Sequence, residues 1–321
     1  MNQAALELEQ HLSRALSPIV FGLEQTIHMA TIALINQGHL LLQGAPGLGK
    51  TLFAKSLAHC LGGVYRRVQC TADLMPSDIV GVHVLDAASG QFTFRKGPIF
   101  ADVLLMDEVN RTGPKTQSAL LEAMEERQVT ADGERFELAE DFLVIATQNP
   151  REFEGTYPLP ESQLDRFMLR VDLDYPARND EKRVLATYLN GRTGSPAGTP
   201  IDADALASAR EAVDAVVVSE ELTNYVLDIA DATRTHPQIR LGLSTRAVLA
   251  LLQCARTEAA LAGQAFVSAD DVKAVAEAVM AHRILPRPEA MLEGLSSSEL
   301  VIDALSSVAV PRTTVDEDEN N

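Results

Sequence analysis

The chain has 321 residues, of which 27 are Lys or Arg and 45 are Asp or Glu, so its formal net charge is 27 − 45 = −18. Its 46% hydrophobic residues can fill ordinary cores, and no run approaches the ~20 apolar residues that a membrane span needs. The acidic balance also argues against a protein that holds nucleic acid mainly by neutralising phosphates.

The cysteines give no sign of a cross-linked or metal-bound scaffold. Cys60, Cys70 and Cys254 are odd in number and form no Cys-x-x-Cys pair, so neither a disulfide framework nor a zinc cluster is predicted. The first ten residues lack the basic region of a signal peptide. We therefore expect a soluble protein of the reducing cytoplasm, with no insertion into a membrane.

The first predicted elements frame a glycine-rich loop. Residues 13–36 are helix-rich, and the apolar run 39–43 is typical of a buried parallel strand. An apolar residue at every fourth position predicts a helix over residues 52–61. The loop between strand and helix matches G-x-x-x-x-G-K-[ST] and comprises Gly44, Ala45, Pro46, Gly47, Leu48, Gly49, Lys50 and Thr51.

This loop motif binds nucleotide phosphates for physical reasons. Its glycines let backbone N–H groups face the phosphates, Lys50 reaches the β- and γ-phosphates, and the Thr51 hydroxyl coordinates Mg²⁺. The following helix adds the partial positive charge of its N-terminus. A chance glycine turn is the alternative, but the strand and helix that the motif requires are both predicted, so the sequence favours phosphate binding.

Two acids follow a second apolar strand. The run 103–106 is apolar and leads directly into Asp107 and Glu108. Asp107 is predicted to hold Mg²⁺ through water, and Glu108 to polarise the attacking water, which indicates a nucleotide hydrolase. The alternative is a strand that ends in two solvated acids.

Further strands are predicted at 64–70 and 142–147, and their alternation with helices indicates a parallel sheet flanked by helices. Asn149 follows the last of these strands, at the carboxyl edge where open α/β sheets bind ligands. We predict that Asn149 orients the water or touches the γ-phosphate, the alternative being a simple Asn-Pro turn.

Two segments interrupt this α/β pattern. Residues 76–98 combine glycines with short β-prone pieces, and residues 128–141 place Asp132-Gly133 between alternating runs, which is a hairpin signal.

Composition changes after the α/β pattern. Residues 1–190 are predicted to form the nucleotide-binding domain, and the turn formers at 191–200 a linker. Residues 201–311 carry apolar residues at helical spacing and no convincing strand, so they predict a small all-helical domain. The end, 312–321, is an acidic tail that we expect to be disordered.

Taken together, these motifs resemble the MoxR family of AAA+ ATPases. The resemblance covers about residues 15–290 and rests on residues 44–51, 96–111, 115–126 and 155–167. It implies a P-loop AAA+ α/β domain followed by a helical lid. It also identifies 76–98 as an insert that interrupts the second helix, and implies that such hairpins line a ring pore or face the client. Phe92 and Phe94 in this insert are then candidate contacts for a protein client, although packing in a core is the favoured interpretation for either one.

The resemblance also implies roles for individual residues. Asn149 resembles the sensor-1 residue, and Arg166 resembles the arginine finger that reaches the γ-phosphate of a neighbouring subunit. Arg170 is the alternative finger, and a surface salt bridge with Asp165 or Glu161 is the alternative role for Arg166.

Two more segments match the family. Arg246 resembles the sensor-2 arginine, which contacts phosphates in its own subunit. Thr245 stands where many relatives have Pro, and either residue can occupy the first turn of a helix. Helix capping or an interface is the alternative role for Arg246. Residues 19–25 resemble the segment that borders adenine, with ordinary packing beneath the sheet as the alternative.

The function implied is Mg²⁺-dependent ATP hydrolysis by a homo-oligomer, typically a hexameric ring. The family couples it to chaperone-like remodelling, maturation or metal-cofactor insertion of protein clients, often with a von Willebrand factor A domain partner. A chelatase-type motor subunit, a nucleic-acid motor or transcription activator of the same superfamily, and a nucleotide-dependent binding module are the alternatives. The net charge and the lack of a basic stripe disfavour nucleic acid as a partner.

Overall fold

The computed structural model describes residues 3–87, 90–149, 157–190 and 200–311. The chain divides into two compact units, residues 4–211 and, within the described chain, residues 212–311 together with Gln3. The predicted linker at 191–200 and the tail at 312–321 lie almost wholly outside the described residues. The domain boundaries therefore remain a proposal.

The described chain is built mainly from helices, with eleven strands. The helices are α1 Gln3–Leu16, α2 Glu24–Ile35, α3 Lys50–Cys60, α4 Pro76–Val80, α5 Pro114–Glu126, α6 Glu161–Leu164, α7 Arg178–Leu189, α8 Ala203–Asp214, α9 Glu220–Thr235, α10 Thr245–Leu261, α11 Ala269–Met280, α12 Pro288–Leu292 and α13 Ser297–Ser307, with a 3-10 turn at Val109–Arg111. The strands are β1 Leu40–Gly44, β2 Tyr65–Gln69, β3 Gly81–Leu85, β4 Phe92–Lys96, β5 Val103–Asp107, β6 Gln128–Ala131, β7 Glu134–Glu137, β8 Leu143–Gln148, β9 Leu169–Leu173, β10 Ile239–Leu241 and β11 Leu285–Pro286.

The centre of the first unit is a five-stranded parallel sheet in the order β2-β5-β8-β1-β9. Strands β5, β8 and β1 are buried along almost their whole length, because helices cover both faces of a parallel sheet and each strand can then be a continuous apolar run. The predicted parallel sheet flanked by helices is confirmed. Because all strands point the same way, their carboxyl ends lie at one edge.

Two details of this unit differ from the sequence-based expectation. The helix-rich stretch 13–36 contains the end of α1, which already begins at Gln3, and the whole of α2. The turn between them includes Gly22, which has a φ angle of 75°. The edge strand β9 was not predicted. It alternates buried Leu169, Val171 and Leu173 with more exposed Arg170 and Asp172, so it has no apolar run of the kind that reveals the central strands.

The two β-prone segments form antiparallel hairpins, β3–β4 and β6–β7. Asp132 and Gly133 lie at the tip of the second hairpin with φ angles of 50° and 86°, as a two-residue hairpin loop requires. The hairpins meet through Phe94 and Phe136, whose rings stack with centroids 4.1 Å apart. His83 of the first hairpin also contacts Asp132, with 2.7 Å between Nδ1 and Oδ2.

The second unit is mainly helical, with α9, α10, α11 and α13 packed on one another. Each of these helices begins after a serine whose hydroxyl accepts a backbone hydrogen bond from the first turn, which defines its start; these are Ser219, Ser244, Ser268 and Ser296. The expectation of no strand is wrong, because β10 and β11 pair antiparallel. In the described part of the chain, no helix is long and apolar enough to cross a bilayer.

Candidate active site

The candidate site begins with the loop between β1 and α3. Gly47 and Gly49 have φ angles of 85° and 82°, a region that residues with a Cβ atom rarely enter. Gly49 immediately precedes α3, so the helix begins at Lys50, and its first turn has backbone N–H groups without intrahelical partners. The loop therefore has the backbone form of an anion-binding site at a helix N-terminus.

The side chain of Lys50 bends back over this loop. Its Nζ atom donates a 2.7 Å hydrogen bond to the carbonyl oxygen of Gly44. Burial lowers the pKa of Lys50, while the nearby charges of Asp107 and Glu108 act in the opposite direction. The ammonium group is thus placed between the loop backbone and the acid pair.

The two acids lie where β5 ends, beside Thr147 of the neighbouring strand β8. The Thr147 hydroxyl donates a 2.6 Å hydrogen bond to Asp107 Oδ1 and accepts a 2.9 Å bond from the backbone N–H of Glu108. Asp107 is therefore oriented so that its other oxygen, Oδ2, faces away from β8.

Glu108 has an unusual backbone conformation. Its φ and ψ angles are 59° and 53°, a left-handed conformation that is uncommon for a residue other than glycine and that marks functional sites. Its carboxylate pairs with Arg111, at 2.9 Å between Nε and Oε2, and accepts a 3.2 Å hydrogen bond from the amide of Gln69. The carboxylate is thus held at the edge of the sheet by two side chains.

Asp107 also has a cationic partner, which the sequence did not reveal. Nη2 of Arg67 lies 2.6 Å from Asp107 Oδ2 and 2.8 Å from Gln69 Oε1. Arg67 and Gln69 alternate along β2 and so share one face of the strand, and Gln69 is in register with Asp107. The available signal was the predicted strand 64–70, which carries the polar residue Gln69 near its carboxyl end.

These groups surround a cavity of about 470 Å³. The loop, the acids, the β2 side chains and Asn149 meet there; its lining consists of Pro46, Gly47, Gly49, Lys50, Thr51, Leu52, Arg67, Gln69, Asp107, Glu108 and Asn149. Gly44, Ala45 and Leu48 line an adjoining cavity that Asn149 also borders. Every predicted loop residue, both acids and Asn149 are therefore brought together.

A larger and mostly apolar cavity of about 770 Å³ adjoins the loop on another side and shares Gly47, Gly49 and Leu52 with the first. Its apolar lining comes from residues 19–23, from Tyr175 and from α7. Phe21 borders it, and the guanidinium of Arg183 lies 4.3 Å from the centre of the Phe21 ring. The segment identified at 19–25 therefore does border a cavity next to the phosphate loop.

Two of the three candidate arginines belong to the first unit and form ion pairs there. Arg166 pairs with Glu125 of α5, at 3.2 Å between Nε and Oε2, and Arg170 of β9 pairs with Asp172 at 2.8 Å. Neither is among the described residues that line the two large cavities at the loop. Arg246 is an exposed residue in the first turn of α10, in the second unit, and Thr245 is the first residue of that helix.

The oxygen donors of the first cavity suit Mg²⁺. This ion prefers hard oxygen ligands and is usually held by one or two protein groups together with substrate phosphates; Thr51 and Asp107 supply a hydroxyl and a carboxylate at the same cavity. Within the described ranges, no group of three or more His, Cys, Asp or Glu side chains could hold a metal ion alone. The residues present therefore fit a metal that arrives with a phosphate ligand.

Two parts of the chain match known protein families. Residues 39–169 match a family described as the ATPase family associated with various cellular activities, and residues 231–304 match the AAA lid domain. The first match contains the loop, both acids and Arg166.

Relatives match almost the whole chain. The uncharacterized protein YeaC of Bacillus subtilis is 39% identical, over 94% of this chain and 93% of its own. Chaperone MoxR1 of Mycobacterium tuberculosis is 36% identical, over 92% of this chain and 80% of its own. A crystal structure of a candidate ATPase from Cytophaga hutchinsonii has a TM-score of 0.88 at 34% identity, covering 97% of this chain and 98% of that one.

Proposed function

Since the chain belongs to the MoxR family of AAA+ ATPases, we propose that it binds ATP with Mg²⁺ at the loop of residues 44–51 and hydrolyses it. The observation that carries this proposal is the contact of one hydroxyl, that of Thr147, with both acids at the cavity that Lys50 lines.

Each side chain at this cavity has a role that follows from its chemistry. The loop N–H groups and Lys50 bind the phosphates, and Thr51 and Asp107 would hold Mg²⁺, the latter through water. When bound, Mg²⁺ supplies neutralisation of charge on the phosphate oxygens. Glu108 orients the attacking water and accepts its proton, and Asn149 positions the water or the γ-phosphate.

The large apolar cavity is the proposed site of the nucleotide base. Its aromatic and aliphatic lining suits a flat heteroaromatic ring, and it shares loop residues with the phosphate cavity. Base and phosphates of one nucleotide can then occupy the two cavities together.

We assign Arg166 as the finger supplied by a neighbouring subunit and Arg246 as the sensor of the lid. Arg166 lines neither large cavity at the loop of its own chain, which supports a role in a second copy, and its side chain is more exposed than that of Arg170. A guanidinium supplied in trans stabilises charge that develops on the phosphoryl oxygens. Hydrolysis would then require a homo-oligomer, for which we propose a hexameric ring.

We propose that the ring works in the cytoplasm as a chaperone-like machine on protein clients. The relative named chaperone MoxR1 supports this role. Maturation or metal-cofactor insertion of the client, and a partner with a von Willebrand factor A domain, are the finer parts of the proposal. We expect no nucleic-acid partner, because the chain carries a net charge of −18.

The test measures phosphate release against protein concentration for wild type, Glu108→Gln and Arg166→Ala. Glu108→Gln should bind ATP but lose at least about a hundredfold in turnover, the loss typical of removing a general base. Arg95→Ala, which removes an exposed charge on β4, is the control for Arg166→Ala. Wild-type turnover by Glu108→Gln would refute the hydrolysis proposal.

Mixing variants tests the neighbouring-subunit role. Lys50→Ala subunits keep Arg166, so adding them to Arg166→Ala subunits should restore activity in mixed rings. Absence of restoration would argue against a finger supplied in trans. A strong stimulation of the wild type by DNA would favour the nucleic-acid motor instead.

A further inference from the structure

Arg67 sits at the atom of Asp107 that a metal site would use. Thr147 donates a hydrogen bond to Asp107 Oδ1, so Oδ2 is the oxygen that this bond leaves more open to a cation. Nη2 of Arg67 lies 2.6 Å from Oδ2. The cavity between Arg67 and Lys50 is the proposed phosphate site. A positive charge of the chain itself thus stands beside the carboxylate that is assigned to Mg²⁺.

The contact differs from an ordinary surface salt bridge in its connections. The same Nη2 atom donates a hydrogen bond to Gln69 Oε1, and the Gln69 amide nitrogen donates one to Glu108. The guanidinium of Arg67 is therefore connected to Asp107 directly and to Glu108 through Gln69. The Asp107 side chain is 16% exposed and that of Arg67 is 45% exposed. The carboxylate is therefore partly desolvated, whereas the arginine can leave for solvent at small cost.

We propose that Arg67 is a resident counter-cation that occupies Asp107 while the site lacks metal, and that Mg²⁺ displaces it when nucleotide binds. This inference rests on the proposed function, since it needs a nucleotide in the same cavity. Without a metal, an unpaired Asp107 would repel the phosphates of a nucleotide. Arg67 removes that repulsion, but it also competes with the hydrated metal for Oδ2.

Two effects of removing Arg67 follow from this competition. Nucleotide binding without Mg²⁺ should weaken, because the charge of Asp107 is no longer compensated. The Mg²⁺ concentration that gives half of the full increase in nucleotide affinity should fall, because Arg67 no longer competes for Asp107 Oδ2. For a partly exposed ion pair each change is expected to be about fivefold.

The experiment measures binding of a fluorescent ADP analogue while Mg²⁺ is raised from a chelated solution to the millimolar range. ADP is used so that no turnover is involved. The variants are Arg67→Ala and Arg67→Gln, the second of which keeps length and polarity without the charge. Arg67→Lys should restore most of the wild-type metal dependence, because an ammonium group can also pair with Oδ2.

Arg66→Ala is the matched control. It removes the same charge from the adjacent residue of β2, whose side chain lies on the other face and donates to the carbonyl oxygen of Tyr65 at 3.4 Å. Urea unfolding of each variant checks that it is folded.

The inference is overturned if Arg67→Ala and Arg67→Gln show the wild-type Mg²⁺ dependence. It is also overturned if the ADP affinity of these variants falls by the same factor at every Mg²⁺ concentration, since Arg67 would then simply bind the phosphates. A wild type that binds no ADP even with Mg²⁺ would instead refute the proposed function. Wild-type binding and hydrolysis with no shift in the variants would refute this inference alone.

Discussion

The hydroxyl of Thr147 donates a 2.6 Å hydrogen bond to Asp107 Oδ1. The same oxygen accepts from the backbone N–H of Glu108 at 2.9 Å, so one side chain of β8 fixes both acids at the end of β5. The carboxylate of Asp107 and the backbone of Glu108 are therefore both positioned from the neighbouring strand.

We expect Thr147→Val to reduce hydrolysis more than binding. The substitution keeps the shape but removes both hydrogen bonds, and leaving the Glu108 N–H without its acceptor costs about 1–3 kcal/mol. ATP turnover should fall at least about tenfold, a loss of some 1.4 kcal/mol in the transition state. ADP affinity, measured by the same fluorescence assay, should change by less than about threefold, because the loop that holds the phosphates keeps its backbone contacts.

Thr147→Ser retains the hydroxyl and serves as the control for that prediction. It should keep most of the turnover and of the resistance to urea. Equal turnover of the Val variant and the wild type would show that Thr147 does not position the acids.

The two hairpins should behave as one cooperative structure. Phe94 and Phe136 stack at 4.1 Å with planes 15° apart, and aromatic pairs contribute about 0.5–1.5 kcal/mol beyond their buried area. A double-mutant cycle of Phe94→Ala and Phe136→Ala, read by urea unfolding, should therefore show a coupling free energy in that range. Phe92 on the same strand is 70% exposed, and its cycle with Phe136 should show none.

The base site can be separated from the phosphate site by choice of ligand. Phe21 lines the large cavity and packs under Arg183, so Phe21→Ala should weaken binding of ADP about fivefold to tenfold, the effect of losing a stacking contact of ~1–1.4 kcal/mol. Tripolyphosphate has no base and should bind both proteins alike. Equal loss for both ligands would mean that the substitution disturbs the loop.

Sequence patterns predicted the parts of the site whose chemistry is local. The loop has a fixed spacing because its glycines, Lys50 and Thr51 must meet the phosphates and the Mg²⁺ of one nucleotide. The central strands are continuous apolar runs because both sheet faces are covered. Asp107 and Glu108 follow from the end of such a run. None of these inferences needed a partner elsewhere in the chain.

The parts that escaped prediction depend on tertiary register. Gln69 can donate a hydrogen bond to Glu108 only because β2 pairs with β5 in a register that places Gln69 opposite Asp107. Thr147 matters because β8 lies on the other side of β5. The alternative role given to Arg166 was a salt bridge with the nearby Asp165 or Glu161, whereas the structure pairs it with Glu125 of α5.

A buried histidine directly before β1 gives the last prediction. His39 is 4% exposed; its Nδ1 accepts from the backbone N–H of Val144, and its Nε2 lies 3.0 Å from the carbonyl oxygen of Met124. Nε2 must therefore carry the proton and donate. Burial lowers the pKa of His39 from 6.5 to about 4, the hydrogen bond to Met124 opposing this and Arg127 adding to it.

The sign of the pH effect follows from that direction. Because the folded-state pKa is the lower one, the unfolded chain binds the proton more readily, so the stability contributed by neutral His39 is complete above pH 6.5 and is lost as pH falls toward 4. Because a shift of one pKa unit corresponds to ~1.4 kcal/mol, the free energy of unfolding should fall by about 3 kcal/mol over this range. His39→Gln keeps a donor for Met124 but does not titrate. Urea unfolding from pH 7.5 to 4 should therefore show the wild type losing about 3 kcal/mol more than this variant, and parallel curves would mean that His39 titrates normally in the folded protein.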